Sequence, residues 1–178
     1  MSLSFTKGWA ALKRAFKTKG RLTAAWAGAV LALDLGTKAA ANRYLSPWEP
    51  RPVIDDFFNL VLAYNTGAAF SFLAGAEGPA QSLKMAALAS AALLPFLYFF
   101  VQAPPADRSR LAALGLIWGG ALGNIHDRLR WGAVVDFLDF HWQGYHWPAF
   151  NLADVAICLG AGLLGLSVWR EKPKENRG

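Results

Sequence analysis

Cysteine is almost missing from this chain of 178 residues: Cys158 stands alone, so neither an internal disulfide nor a paired-cysteine zinc motif can form. Charge is scarce too. Charged residues make up 17% and hydrophobic residues 54%, where a soluble domain has about 25% and about 45–50%. Residues 1–33 contain no acid at all, and nine prolines are too few for a low-complexity linker. No His-Glu-x-x-His pattern points to a zinc protease, and no Gly-x-Ser-x-Gly elbow presents a serine nucleophile. Ser71 and Ser90 have no base close by in sequence. With a mean hydropathy of +0.25 and the length of one domain, these absences exclude a soluble enzyme, a disordered tail and a coiled coil. What remains is a membrane protein.

Four stretches are apolar enough to cross a bilayer core that needs about 20 helical residues: 22–44, 83–101, 111–125 and 148–169. Residues 1–21 form a basic amphipathic segment, with Phe5, Trp9, Leu12 and Phe16 at near-helical spacing among lysines, suited to the cytoplasmic interface. A cleavable signal peptide fits less well, because Asp34 and Lys38 interrupt the apolar run and three more spans follow. Lys and Arg fix the orientation. Six precede the first span, Arg108 and Arg110 separate the second and third, and Arg170, Lys172, Lys174 and Arg177 follow the fourth, making 12 of the 18. Both termini are then cytoplasmic, and loops 45–82 and 126–147 face outward. The net charge of +6 serves topology and anionic lipids, with no role for nucleic acid.

The outward loops have structure of their own. FFNLVLAYN (57–65), a turn at Thr66-Gly67 and AAFSFL (68–73) suggest a hairpin, and GAVVDFLDFHW (132–142) suggests a further strand. The expected fold class is an all-α membrane protein with a small β element: four transmembrane helices, the amphipathic start and a small extracytoplasmic sheet, as one domain over 1–178. Trp131, Trp142, Tyr145 and Trp147 suit headgroup level.

Polar groups inside spans are costly and mark functional sites. Asp34 lies 13 residues beyond Arg21 and Asn124 14 beyond Arg110, each about 20 Å from the cytoplasmic face at a helical rise. Asp154, seven residues after Trp147, lies about 10 Å inward from the outer face by the same rise. Three spans thus place polar groups at one level. Asp34 and Lys38, four apart, share a face and can pair; Asn151 and Asp154, three apart, also face one way. Gly115, Gly119 and Gly123 form a stripe for close helix packing, expected to bring Asn124 and Asp127 near the fourth span.

Carboxylates are the chemistry left. Asp127, Asp136, Asp139 and Asp154 gather around the outer ends of the third and fourth spans. Two aspartates held together share a proton and can activate a water between them. Asp154 is the firmest member, and its partner comes from the second outer loop. His126, His141 and His146 lie near Asp127 and Asp139, but their irregular spacing suits hydrogen bonding better than metal ligation.

DLGTK (34–38), YNTGAAFSFL (64–73), GGALGNIHDR (119–128), VVDFLDF (134–140) and FNLADVAI (150–157) together resemble the lipoprotein signal peptidase (signal peptidase II) family. The likeness spans about residues 25–165. It implies a membrane aspartic endopeptidase of the bacterial cytoplasmic (inner) membrane, cleaving diacylglyceryl-prolipoproteins on the amino side of the lipidated cysteine. It further implies a catalytic pair in VVDF and FNLAD, which here is Asp136 and Asp154. The residues alone also allow Asp127; Asp136 is preferred because Asp127 adjoins Arg128 and suits a charge pair. Asn65, Asn124, Arg128 and Asn151 suit holding a peptide backbone. Gly67 permits a tight turn, Asp34 and Lys38 support the site from the first span, and Asp139 is expected as a solvated loop carboxylate. No metal or organic cofactor is expected; the partners are the prolipoprotein substrates and membrane lipids, and the chain is expected as a monomer.

Two other classes remain to be set against this reading. A small transporter or proton-coupled channel would spread polar residues through the whole thickness, whereas the inner halves of the first, third and fourth spans are almost wholly apolar. A non-catalytic scaffold would tolerate loss of Asp136 or Asp154.

Overall fold

A computed structural model describes residues 2–47, 49–67 and 79–170. In chain order these form α1 (Ser2–Tyr44), β1 (Arg51–Ile54), β2 (Phe58–Asn65), α2 (Pro79–Ala92), α3 (Leu94–Gln102), α4 (Arg108–Trp131), β3 (Val134–Trp142), β4 (Tyr145–His146) and α5 (Leu152–Arg170). The fold is mostly helical with one small antiparallel sheet, ordered β1-β2-β3-β4.

The helix boundaries depart from the sequence expectations in four informative ways. The amphipathic start and the first span are one continuous helix of 43 residues; no proline interrupts the chain until Pro47. The second span is broken at Leu93, between α2 and α3. Pro95 has no N–H to return to the carbonyl four residues back, so the chain closes a tighter turn there, from Leu93 N to Ser90 O at 3.1 Å. Still, residues 80–102 and α5 are the two stretches, among the described residues, long and apolar enough to cross a membrane by composition alone. The third span, expected over 111–125, runs from 108 to 131. Asp107 caps its start by accepting the Arg110 N–H at 2.9 Å, and Gly132 (φ 77°) ends it. The loop expected over 126–147 therefore begins as helix, and Asp127 and Arg128 sit on a rigid rod. The fourth span, expected from 148, begins as helix only at Leu152. Asp154 consequently belongs to the first helical turn, and a depth reckoned by helical rise from Trp147 does not apply.

α4 is the central helix. Its stripe of Gly115, Gly119 and Gly123 packs on α1: a Cβ on Gly119 would come 2.6 Å from the Ala27 carbonyl oxygen, and one on Gly123 would strike the Asp34 carboxylate. The stripe was expected to serve the fourth span. That contact is made by other glycines, Gly120 against the Ala153 carbonyl and Gly160 against that of Ala113. Small residues on two faces of one helix let both neighbours close in, as packing between membrane helices requires. Leu111, Ala113, Leu114 and Ile117 are buried, the last three with Leu164 of α5 in a cluster covered by Phe96, Phe99 and Phe100 of α3.

The sheet rests on the end of this bundle. β2 pairs antiparallel with β3, Asn59 opposite Asp139 and Ala63 opposite Asp136, with an irregularity between Leu60 and Ala63. β2's partners are thus β1 and β3; the strand expected over 68–73 lies outside the described residues. So do the side chains of Phe5, Trp9 and Leu12 and the basic residues Lys172, Lys174 and Arg177. Leu62, Val135 and Phe137 bury against Ala41 of α1, with Leu152 of α5 beside them. Trp131, Trp142, Tyr145 and Trp147 stay exposed.

Candidate active site

α1 supplies a cation and its counter-charge one turn apart. Lys38 Nζ lies 2.8 Å from Asp34 Oδ2, 2.9 Å from Asp127 Oδ2 and 2.9 Å from Asn124 Oδ1. An ammonium has three donors and no acceptor, and this one, 3% exposed, hydrogen-bonds Asn124 and forms ion pairs with two buried carboxylates. The carboxylates reach onward. Asp34 Oδ1 accepts the Ala153 N–H at 3.0 Å, and Asp127 Oδ2 accepts the Val135 N–H at 3.2 Å. One ion cluster thereby ties α1 to α4, β3 and the first turn of α5. The expected Asp34–Lys38 pair is present; Asp127 is also paired, with Lys38 rather than with its neighbour Arg128.

The second device is a strand contact followed by a helix cap. Phe150 N–H donates to Leu138 O at 3.1 Å, and Phe150 O accepts from Leu138 N at 2.9 Å. That short bridge lays residue 151 beside β3. Asn151 Nδ2 then donates to Asp136 Oδ1 at 2.7 Å and to Asn124 Oδ1 at 3.2 Å. Asn151 also opens α5. Its Oδ1 accepts the Asp154 N–H at 3.1 Å, while its own N–H donates to Asp154 Oδ2 at 3.2 Å. This is a reciprocal capping box built from Asn and Asp, with a carboxylate where the positive end of the helix dipole favours one. Asn124 Nδ2 donates to Asp154 Oδ1 at 2.8 Å. The signal Asn-x-x-Asp before an apolar run was present in the sequence; read as an N-cap, it would have placed the helix start at 152.

The third device is the end of β2. Asn65 Nδ2 donates to Asp136 Oδ2 at 3.0 Å, and its Oδ1 accepts the Gly67 N–H at 2.9 Å, a turn that Gly67 closes at φ 79°. Asp136 is 2% exposed. Burial pushes its carboxyl up to about 6, the negative charge of Asp154 adds to this, and the Asn65 and Asn151 hydrogen bonds oppose it. Arg128, half-buried, donates from Nη1 to Asn124 O at 3.3 Å and lies near Asp154 and Asp136. Together with Thr66, Gln81 and Ser82 it lines a cavity of about 620 Å³.

Of the ten residues singled out from sequence, eight form this single network of hydrogen bonds and ion pairs: Asp34, Lys38, Asn65, Asn124, Asp127, Asp136, Asn151 and Asp154. Gly67 shapes the turn beside it and Arg128 flanks it. Asp139 departs from expectation. It is 6% exposed, accepting from Asn59 Nδ2 at 3.1 Å and facing His146 Nδ1 at 2.9 Å. The cause is register, because Asp139 stands opposite Asn59 on the paired strand. His146 in turn stacks on His141, with ring centroids 4.8 Å apart, and His126 lies 3.5 Å from Asp127.

A helical bundle under a small sheet, with buried Asp136 and half-buried Asp154 each held by amides, is a fold shared with membrane enzymes. Two solved bacterial membrane enzymes are similar in fold. One, determined by the in meso method at 1.9 Å, is similar with a TM-score of 0.72 and 28% identity, over 84% of this chain and 94% of its own. The other, at 2.3 Å, gives a TM-score of 0.71. The signal peptidase (SPase) II family matches residues 26–170. The lipoprotein signal peptidase of Ralstonia nicotianae is 54% identical over 132 residues, 74% of this chain and 75% of that protein. That of Syntrophotalea carbinolica is 45% identical over 142 residues, 80% and 87% of the two chains. The chain belongs to the signal peptidase II family. It is a membrane protease of lipoprotein processing.

Proposed function

We propose that this protease removes the signal peptide from diacylglyceryl-modified prolipoproteins, cutting on the amino side of the lipidated cysteine, with Asp136 and Asp154 as its catalytic pair. One observation carries the reading. A single residue, Asn151, donates to both carboxyl groups, from Nδ2 to Asp136 at 2.7 Å and from its backbone N–H to Asp154 at 3.2 Å. Two carboxyl groups so close cannot both ionise easily, and one proton is shared between them. The ionised member takes a proton from water, whose oxygen attacks the scissile carbonyl, while the protonated member donates to the carbonyl oxygen. When the carbon–nitrogen bond breaks, the first returns its proton to the leaving amine and the second recovers its own from the diol.

Other residues present the peptide. Arg128 lies near both carboxyl groups and suits a substrate carbonyl, and Asn65, Asn124 and Asn151 hold carboxylates or backbone through amides that both donate and accept. Gly67 closes the turn that orients Asn65. Asp34, Lys38 and Asp127 form the support beneath. No metal or organic cofactor has a part, and the enzyme acts as a monomer.

The membrane layout follows from lengths and charges. At about 1.5 Å per residue, the 24 residues of α4 and 19 of α5 match a hydrocarbon core of about 30 Å. With α4 and α5, the outer part of α1 and the α2–α3 pair make four crossings of the bacterial cytoplasmic membrane. The basic segments lie on the cytoplasmic side with both termini, and the sheet and aspartates lie near the outer face. A lipidated substrate confined to the membrane brings its scissile bond to that depth.

The test is cleavage of a synthetic lipopeptide by purified protein. Asp136→Asn and Asp154→Asn each abolish turnover while leaving insertion intact. Asp127→Asn keeps measurable activity, because Asp127 supports the site rather than touching substrate. The peptide without its lipid is not cut. Substantial turnover in either of the first two variants would overturn the assignment.

A further inference from the structure

The two aspartates are held by amides whose direction is not free. Lys38 can only donate, so the Asn124 atom facing it is the carbonyl oxygen, at 2.9 Å. The other end of that amide is therefore the NH₂, and it meets Asp154 Oδ1 at 2.8 Å. A cation on α1 thus dictates that Asp154 meets a donor.

The surroundings of the two carboxyl groups differ accordingly. Asp154 faces Asn124 and Arg128 of α4, Asn151 at its own helix start and Asp136 of β3. Asp136 faces Asn65 of β2, Asn151 and Asp154, with Lys38 as a weaker influence. Of the charges around Arg128, that of Asp154 acts most strongly. Asp154 is half-buried and Asp136 is 2% exposed. Ionisation costs more where water is absent, and the positive ends, namely the guanidinium, the helix start and the amide fixed by Lys38, gather on Asp154.

Resting on the catalytic pair proposed above, we propose that Lys38, acting through Asn124, holds Asp154 as the ionised member and leaves Asp136 to carry the shared proton. Asp154 is then the base. It takes a proton from water as the oxygen–carbon bond forms, and Asp136 gives its proton to the carbonyl oxygen. The resulting diol collapses with Asp154 returning a proton to the nitrogen as the carbon–nitrogen bond breaks, and Asp136 takes one back from a diol hydroxyl. Both side chains end as they began. Lys38 and Asn124 are positioning residues.

The experiment is the kcat/KM profile on the lipopeptide, from about pH 4.5 to 9, for the full chain and its Asn124→Asp variant. Its acid limb reports formation of the base and its alkaline limb loss of the acid. Asn124→Asp still accepts from Lys38 but turns an oxygen toward Asp154 in place of a donor. The acid limb moves to higher pH by about one unit, so activity at a fixed pH on that limb falls about tenfold, and the alkaline limb stays. A merely structural Asn124 lowers kcat/KM by one factor at every pH, and that result overturns the proposal. Should Asn124→Asp fail to fold, Asn124→Ala, which removes the donor without adding charge, must move the acid limb the same way. If Asp136→Asn or Asp154→Asn is active, the pair itself falls. If both are dead and the acid limb is unmoved, only the device through Lys38 falls.

Discussion

Replacing Lys38 with methionine tests the ion cluster most directly. The methionine fills similar space but carries no proton for Asp34, Asp127 or Asn124, which lie 2.8, 2.9 and 2.9 Å from the ammonium. Asp34 and Asp127 are almost fully buried, so two carboxylates are left facing one another without a cation. Removing one partner of a buried pair costs about 3–5 kcal/mol, a large share of the roughly 5–15 kcal/mol that holds a domain folded. Asp34 loses only one of its oxygens' partners, because Ala153 N–H still binds the other at 3.0 Å. Adding Asp34→Asn to Lys38→Met removes one of the two stranded charges, and it should recover a substantial part of the loss. The assay is thermal unfolding of purified protein in one detergent, for wild type, both single variants and the double. A Lys38→Met variant as stable as wild type, or a double variant no better than Lys38→Met, would refute the reasoning.

Three further outcomes follow from the geometry. Gly123→Ala drives a methyl into the Asp34 carboxylate, and such overpacking should cost about 1–3 kcal/mol in the same unfolding assay. The raised Asp136 carboxyl, about 6 against 3.8, gives the fold a contribution that is complete below about pH 4 and is lost as pH rises through about 6. Asp136→Asn should therefore flatten the stability profile over that window; an unchanged profile counts against the buried protonated state. Asn59→Ala removes a donor to buried Asp139 at 3.1 Å, worth about 1.5–3 kcal/mol. It should lower the melting temperature and leave the acid limb of the cleavage profile in place.

Periodicity and hydropathy were enough for the helices, because burying an apolar stretch in lipid or in a bundle is a local property of 20 neighbouring residues. Asp34 and Lys38 could be paired from sequence for the same reason: one helical turn fixes their separation. The boundaries were harder. Pro95 breaks the second apolar stretch, and the capping box of Asn151 and Asp154 moves a helix start by four residues. Both signals are local and were legible.

The rest was decided between elements. Sequence distance says nothing about which face of α4 meets α1, so the glycine stripe was assigned the wrong neighbour. It cannot say that a cation 89 residues before Asp127 would be its partner. Nor can it say that Asp139 would be buried, since that depends on the register of β2 against β3. The meeting of Asp136 and Asp154 at Asn151 is of this kind. Sequence position offered four carboxylates around the outer ends of the third and fourth spans, and the family's motifs singled out two. The joining of those two through Asn151 comes from a bridge between Phe150 and Leu138, a backbone contact that exists only once strand, helix and cap are folded together.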